Sequence, residues 1–302
     1  MITKRKLGTW ALAATMAAAM VACGKKQEAA APAAAPAAAE ITVAYITNGN
    51  TNEGWTLING GAKTAGGAPG VKFIELAAEK GELSKQLAIV EDMITRKVNA
   101  IAIAPVDSKG IAPAINKALA AGIPVIAVDT GITGAKITSY VATDNIKAAM
   151  VQGNWAAEQI KDGDTVIYIT GDLGQSTGQE RKKGFLDGLN AKRKGVKVVE
   201  VPTTWDQTMA QNGVEAALRA NPGAKVIACA WDGGALGAKA ALMAAGKKPG
   251  DVKIAGFDGS PGGLDMMKQG WQQANAAQML AKIGQVGVET AIAAAQGKKV
   301  EA

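Results

Sequence analysis

Residues 122–129 read GIPVIAVD, a nearly continuous apolar run that ends in a carboxylate. A strand with no polar side fits a position covered by helices on both faces, as parallel sheets require. Short β-branched runs of this kind alternate with Ala-rich segments of helical period from residue 41 onward. The alternation predicts an α/β fold built on parallel sheets.

The candidate strands fall into two groups of five along the chain. The first group covers residues 41–47, 71–76, 100–104, 124–129 and 136–141, and the second covers 165–170, 197–202, 225–230, 252–257 and 272–276. This grouping predicts two Rossmann-like lobes with parallel sheets, joined by a hinge. We expect an N-terminal lobe at 41–143, a C-terminal lobe at 144–276, and a segment at 277–302 that crosses the hinge and packs its terminal helix toward the N-terminal lobe.

The composition limits the chemistry that the protein can perform. The chain has 302 residues with 48% hydrophobic content, which is enough for two domains that each bury a core. It contains no histidine, so a histidine general base, a Ser-His-Asp or Cys-His site and an imidazole metal ligand are all excluded. Two cysteines, Cys23 and Cys229, are too few for a metal cluster, and their different surroundings do not indicate a disulfide. We expect no cofactor and no metal.

The first forty residues have the pattern of a secreted, anchored protein. Residues 1–22 combine a basic start, an apolar stretch and small residues before Cys23, which is typical of a signal peptide and resembles the lipobox of bacterial lipoproteins, although Met20 stands where that family prefers Leu. The resemblance implies a lipid on Cys23, and the alternative is ordinary cleavage that leaves a free cysteine. Residues 23–40 form an Ala/Pro-rich tether. Gly24 replaces the aspartate that retains such lipoproteins in an inner membrane, which favours the outer membrane.

The net charge does not favour a nucleic acid as partner. The formal charge of +7 falls to +4 when the leader residues Lys4, Arg5 and Lys6 are removed. This excess is small and scattered, whereas nucleic-acid binding needs a concentrated basic surface.

Polar and aromatic side chains follow several predicted strands, where ligands of open α/β sheets bind. Hydrogen-bonding groups beside flat aromatic faces suit a sugar, because the hydroxyls need donors and acceptors and the ring has an apolar C–H face. Asp129 and Asp258 end apolar strands without an obvious helix to cap, so we interpret both as binding residues. We interpret Asp206 and Asp232 as helix caps. The other candidates at these strand ends are Asn48, Trp55, Thr130, Trp205 and Trp231. The pattern alone does not select Arg181, which stands in a charged run at 180–183.

Six short motifs together resemble one known family. They read APVD at 104–107, GIPVI at 122–126, TDN at 143–145, ERKKGF at 180–185, GFDG at 256–259 and GKKV at 297–300. Through them residues 41–302 resemble periplasmic sugar-binding proteins of the ribose-binding type, the type I solute-binding proteins of ABC importers. The resemblance implies a monomer in the periplasm that closes two lobes over a sugar and presents it to an importer permease or a chemoreceptor. It also implies a further extended segment after residue 300. Either the given sequence is a fragment or the protein joins its lobes with one connection fewer, and in both cases we expect a wider range of lobe openings.

The resemblance also implies roles for individual residues. Three positions depart from the ribose-binding pattern: Gly54 replaces an aromatic residue, Thr130 an arginine and Trp231 an asparagine. These departures favour a hexose, a modified sugar or a ligand with a more apolar face over D-ribose. The matching positions are Asn48 and Asn52 as polar contacts, Trp55 and Trp205 as opposing aromatic faces, Asp129 and Asp258 as acceptors, Arg181 as a donor to the ring, and Gln278 as a contact near the hinge.

Other functions remain open at this point. The tryptophans suit a nucleoside or another stacked solute that is not a sugar. An enzyme could use Asp129 and Asp258 as acid and base, as glycosidases pair carboxylates. A pair opposed across a mobile cleft with Arg181 nearby suits binding better than bond cleavage. A repressor's ligand domain shares the fold but needs an N-terminal DNA-binding segment, and residues 1–40 are signal and tether.

Overall fold

A computed structural model describes residues 40–49 and 51–301 of the protein. The predictions for the signal peptide and for lipidation of Cys23 lie outside the described residues. The strands are β1 Ile41–Thr47, β2 Val71–Ala77, β3 Ala100–Ile103, β4 Val125–Val128, β5 Ser139–Val141, β6 Thr165–Ile169, β7 Lys197–Val201, β8 Val226–Cys229, β9 Lys253–Asp258 and β10 Ala274–Ala277. The α-helices are α1 Glu53–Gly66, α2 Leu83–Thr95, α3 Ala112–Ala120, α4 Asn145–Glu158, α5 Ser176–Lys192, α6 Gln207–Ala220, α7 Asp232–Ala244, α8 Pro261–Lys268 and α9 Leu280–Ala295.

The strands form two separate five-stranded sheets in which every pairing is parallel, as predicted. Their orders are β2-β1-β3-β4-β5 and β10-β9-β8-β6-β7. We call the first sheet with α1, α2, α3 and α9 the first lobe, and the second sheet with α4 to α8 the second lobe. In each sheet the earliest strand lies between the next two, so the strand order reverses beside it. A crevice opens at the carboxyl ends of the strands at such a reversal, which is where ligands of this architecture bind.

Alternating side chains of the first sheet fill two cores. Val43 and Tyr45 face the core beneath α1 and α9, whereas Ala44 and Ile46 face the core beneath α2 and α3. Successive side chains of a strand point to opposite faces, so a strand with a core on each side must be apolar throughout. This arrangement is the physical reason for the unbroken apolar run in β4.

Within residues 40–49 and 51–301, the chain passes between the sheets at two places, from β5 to α4 and from β10 to α9. Helix α9 follows a strand of the second sheet but packs against α1, β1, β3 and β4 of the first lobe. The two crossings lie side by side, because the Thr143 hydroxyl donates to Gln278 Oε1 at 2.7 Å. These crossings are the hinge between the lobes.

None of the helices in the described part of the chain combines the length and the apolar character that a membrane span requires.

Helices α1 and α9 approach closely through glycine. A Cβ on Gly61 would overlap the carbonyl oxygen of Ala281, and a Cβ on Gly284 would overlap that of Ile58. The missing side chains therefore let the two backbones touch. This contact joins α9 to the first lobe.

Replacing Gly61 by Ala should therefore destabilise the protein by about 1–3 kcal/mol, since the added methyl must push α9 away from α1. Gly60→Ala is the matched control, because nothing lies within 4 Å of a Cβ at that position of the same helix. The control should be neutral or stabilising by up to about 1 kcal/mol, the difference in helix propensity between the two residues. Urea unfolding of both variants measures the difference, and equal stabilities would contradict the close packing.

Candidate functional site

A cavity lies between the carboxyl ends of the two sheets, with about 340 Å³ of space when its opening to solvent is included. It is lined by residues from both lobes, so each lobe supplies one wall. The structure brings eight of the ten predicted ligand contacts to this cavity: Asn52, Trp55, Asp129, Arg181, Trp205, Trp231, Asp258 and Gln278.

Arg181 occupies the centre of the second-lobe wall and is only 4% exposed. Its Nε donates to Asn145 Oδ1 at 2.9 Å, and its Nη1 donates to the Ala230 carbonyl at 2.8 Å. The guanidinium carbon lies 4.1 Å from the centre of the Phe257 ring, a cation–π contact. These partners fix the plane of the guanidinium and leave Nη2 on the side of Asp129.

Two carboxylates, one from each lobe, lie beside this guanidinium. Asp129 follows β4, and its Oδ1 is 3.9 Å from Nη2 of Arg181; Asp258 ends β9, and its Oδ1 is 3.4 Å from Nη1. Gln278 Nε2 also donates to Asp258 Oδ1, at 2.7 Å. Among the described residues, no group of three or more potential metal-ligating side chains of the Asp, Glu or Cys type is present.

Burial dominates the electrostatics of both carboxylates. It raises the pKa of Asp258 to about 7, although the Arg181 guanidinium opposes the change. Burial also raises the pKa of Asp129, against the effects of Arg181 and of the Thr130 hydroxyl. Removal from water penalises the charged form of a carboxyl group, so these two groups gain most from a partner that donates hydrogen bonds to them.

Backbone strain is concentrated at the cavity. Five non-glycine residues in the described chain have positive φ, and three of them line the cavity: Asp129 at 61°, Trp205 at 63° and Asp258 at 112°. Such conformations cost about 1–3 kcal/mol each and persist where the surroundings enforce them, often at functional sites.

Aromatic rings cover opposite sides of the cavity. Trp55 lies in the first turn of α1, where its backbone N–H donates to the side chain of the capping residue Asn52 at 3.0 Å. Trp205 and Trp231 come from the second lobe, and their rings meet edge to face with centres 5.4 Å apart and planes at 84°. The ring of Trp205 lies where a side chain on Gly171 would be, so only glycine leaves room for it.

Two predicted contacts are not on the cavity wall. Thr130 is fully buried and its hydroxyl donates to Asp129 Oδ2 at 3.0 Å, so it supports the neighbouring carboxylate. Asn48 lines a second space, the outer cavity, which it shares with Lys80 of the first lobe and with Gln175 and Trp205 of the second.

Of the two aspartates predicted to cap helices, only one does so. Asp206 caps α6, since its side chain accepts from Met209 N at 2.7 Å. The interpretation of Asp232 as a cap is wrong. Its carboxylate instead accepts from Ser260 N at 2.8 Å and from Asn275 Nδ2 at 2.6 Å, and so fixes the loop that follows Asp258. Burial raises its pKa to about 6.

Sequence reasoning did not find four further residues of the cavity wall. Ile58 and Leu280 contribute apolar surface, and Gln175 and Thr177 stand at the start of α5. The Thr177 side chain is 2% exposed, and its hydroxyl has no hydrogen-bond partner among the described residues. Both residues lie beyond the end of the predicted strand 165–170, so no strand-end pattern selected them.

Comparison with known proteins identifies the family. The chain matches the periplasmic binding protein domain over residues 43–299. It is 32% identical over 264 residues to the ribose import binding protein of Escherichia coli, covering 87% of this chain and 88% of that protein. It is 33% identical over 270 residues to the D-ribose/D-allose-binding protein of Pseudomonas aeruginosa, covering 86% and 83% of the two chains.

A solved structure shares the fold as well. An ABC transporter periplasmic solute binding protein from Actinobacillus succinogenes, with bound D-allose, is 29% identical with a TM-score of 0.79, and the match covers 86% of this chain and 93% of that one. The resemblance drawn from the six motifs is confirmed by these findings. The chain belongs to the periplasmic binding protein domain family, a family of binding proteins and not of enzymes.

Proposed function

We propose that the protein binds a monosaccharide in the cavity and closes its two lobes around it. The observation that carries the proposal is the gap of 3.9 Å between Arg181 Nη2 and Asp129 Oδ1, which is too long for a hydrogen bond. A sugar hydroxyl both donates and accepts, so one hydroxyl beside the pair can bridge it, accepting from the guanidinium and donating to the carboxylate. Asp258 offers a second acceptor on the other side of Arg181.

The aromatic residues support a ring-shaped ligand. Trp55 of the first lobe and Trp205 of the second both line the cavity, and Ile58 and Leu280 add aliphatic surface. A sugar has hydroxyls at its rim and C–H groups on its faces, so it can use the carboxylates and the tryptophans together. The same tryptophans favour the alternative ligand, a nucleoside or another stacked solute.

The ligand class is narrowed by three side chains. Gly54 projects nothing into the cavity, Thr130 is turned toward Asp129, and Trp231 presents an indole. The site therefore has fewer hydrogen-bond donors than the ribose-binding pattern, and its aromatic surface is moved from position 54 to position 231, which favours a hexose or a modified sugar. One relative is named for D-allose and a similar solved structure contains it, so D-allose is the first probe.

A thermal-shift screen tests the proposal directly. A ligand that binds only the folded state raises the melting temperature, by an amount that grows with its concentration above Kd. D-Allose, other hexoses or D-ribose should raise it more than adenosine does, and none should be chemically altered on incubation. A shift with adenosine alone would favour the stacked-solute alternative, and turnover of a sugar would contradict a binding function.

The carboxylates should make binding depend on pH. A ligand hydroxyl that donates to Asp258 stabilises its ionised form and lowers its pKa below the value of about 7 in the unliganded cavity. Affinity should therefore be complete above pH 7 and fall as the pH drops to 5.5. Asp258→Asn should weaken binding at pH 8 by about 1–3 kcal/mol and remove much of the pH dependence. Calorimetric titrations at the two pH values check both expectations. Full affinity of the variant would place the ligand elsewhere.

The Thr177 hydroxyl should contribute to binding although sequence patterns do not select it. Thr177→Val keeps the shape of the side chain but removes the hydroxyl, so affinity for the bound sugar should fall by about 0.5–1.5 kcal/mol. Thr177→Ser should retain it. The Thr203→Val control removes a buried hydroxyl that donates to the Thr170 carbonyl at 2.6 Å, and should lower the melting temperature without ligand. Thr177→Val should not lower it. Unchanged sugar affinity in Thr177→Val would show that the hydroxyl has no role in binding.

We further propose that the protein is a lipid-anchored, monomeric component of a sugar importer in the periplasm. The support is the lipobox-like sequence before Cys23, the Ala/Pro-rich tether, and relatives that are named as import binding proteins. The partner would be an ABC permease, with a chemoreceptor as a second recipient of the loaded protein, and the outer membrane as the favoured anchor site.

Cys23→Ser tests the anchor. The variant should move from the membrane fraction to the soluble periplasmic fraction, because the tether has no large apolar residue to hold the protein at a bilayer. Its affinity for sugar should match that of the wild type. Retention in the membrane fraction would contradict the lipid anchor.

A further inference from the structure

Gln175 is a buried amide that joins the two lobes. It immediately precedes α5, is 5% exposed, and lies on the wall between the ligand cavity and the outer cavity. Its Oε1 accepts from Trp205 Nε1 at 2.8 Å, and its Nε2 donates to the Val106 carbonyl at 3.0 Å. Trp205 belongs to the second lobe and Val106 to the first. Both polar atoms of the amide therefore have a hydrogen-bond partner, and the partner of Nε2 lies across the cleft in the first lobe.

The bond from Trp205 to Gln175 is one of several contacts that orient the Trp205 ring. Its backbone has φ of 63°, and its N–H donates to Thr203 Oγ1 at 3.3 Å. Its benzene edge occupies the space beside Gly171, and Trp231 meets it edge to face. These contacts fix the position of the residue and one edge of the ring. The indole nitrogen, on the other edge, is held by Gln175.

The residues that flank Gln175 form a seam between the lobes. Ser108 N donates to the Gly174 carbonyl at 3.1 Å, and Ser176 N donates to Ser108 Oγ at 2.9 Å. Ser176 Oγ in turn accepts from Gly131 N at 2.8 Å. Residues 174 and 176 thus contact the first lobe directly, whereas 175 and 177 line the ligand cavity. One short segment therefore contacts both the closing lobe and the ligand space.

We propose that Gln175 is a positioning residue, which turns the Trp205 ring toward the ligand and links that orientation to closure of the lobes. The inference rests on the proposed function, because it assigns Trp205 a face of the bound sugar. In the open protein the amide keeps its bond to Trp205 and loses Val106. On closure the Val106 carbonyl fixes the amide from the far side, and the ring can no longer turn away.

Two substitutions separate the two bonds of the amide. Gln175→Met has a similar length and forms neither bond. Gln175→Glu keeps an acceptor for the indole N–H but has no donor for the Val106 carbonyl. Ser108→Ala is the matched control, since it removes one seam bond and does not contact Trp205. Melting temperatures of all three show that each variant is folded before it is compared.

The ligand-free readout is the indole Nε1 proton of Trp205 in an NMR spectrum, assigned with Trp205→Phe. This resonance should shift and exchange faster with solvent in Gln175→Met, and should stay protected in Gln175→Glu and Ser108→Ala. This shift reports loss of the bond between Gln175 and Trp205, and the sugar affinity of the variants decides whether that bond serves binding. An unchanged indole resonance in Gln175→Met would overturn the proposal.

The ligand-bound readout is the Kd for D-allose. Loss of hydrogen bonds worth about 0.5–1.5 kcal/mol each corresponds to about 2- to 12-fold per bond. Gln175→Met should therefore lose more affinity than Ser108→Ala, which removes a single bond of the seam. Equal affinities in Gln175→Met and the wild type would overturn the link to binding. If the wild type binds neither D-allose nor any other sugar, the proposed function fails, and the indole resonance still decides the role of Gln175.

Discussion

The buried guanidinium of Arg181 is the interaction on which the ligand cavity depends. A charge that is removed from water is tolerated only when it is paired and hydrogen-bonded. Asn145, the Ala230 carbonyl and Asp258 supply such partners from the second lobe, but Asp129 belongs to the first. The electrostatic environment of Arg181 is therefore complete only where the two lobes meet, and the gap that remains beside Asp129 suits a group that both donates and accepts a hydrogen bond.

The fold places these groups together by simple rules of parallel sheets. Each sheet reverses its strand order beside β1 or β6, so the loops that follow the strands converge at one edge of each lobe. The two hinge crossings bring those edges face to face. Strained backbone at Asp129, Trp205 and Asp258 then directs the side chains into the cleft, and burial of both carboxylates raises their pKa values. Sheet topology, strain and desolvation thus act on the same few residues.

Features with a strong local signal could be predicted from the sequence. The apolar runs gave both sheets, because a strand with a core on each side has no polar face. Asp129 and Asp258 stood out because each ends such a run.

The remaining residues have no such local signal. Thr130 was placed on the cavity wall by sequence reasoning, but the backbone conformation after β4 decides which of two adjacent polar residues faces the cavity. Asp232 looked like a cap because its partners, Ser260 and Asn275, are distant in sequence. Gln175 was missed because its partners Val106 and Trp205 are also distant in sequence. Thr177 was missed because a hydroxyl without a hydrogen-bond partner leaves no mark in the sequence.

In the proposed function, a sugar completes the hydrogen bonding around Arg181 and so draws the lobes together. Small-angle X-ray scattering with and without saturating D-allose, on the wild type and on Arg181→Met, measures this movement. We expect the radius of gyration of the wild type to fall when the sugar is added, whereas the variant, which keeps a flexible apolar side chain but no donors, should show no change. Sugar binding with an unchanged radius in the wild type, or equal contraction in Arg181→Met, would contradict it.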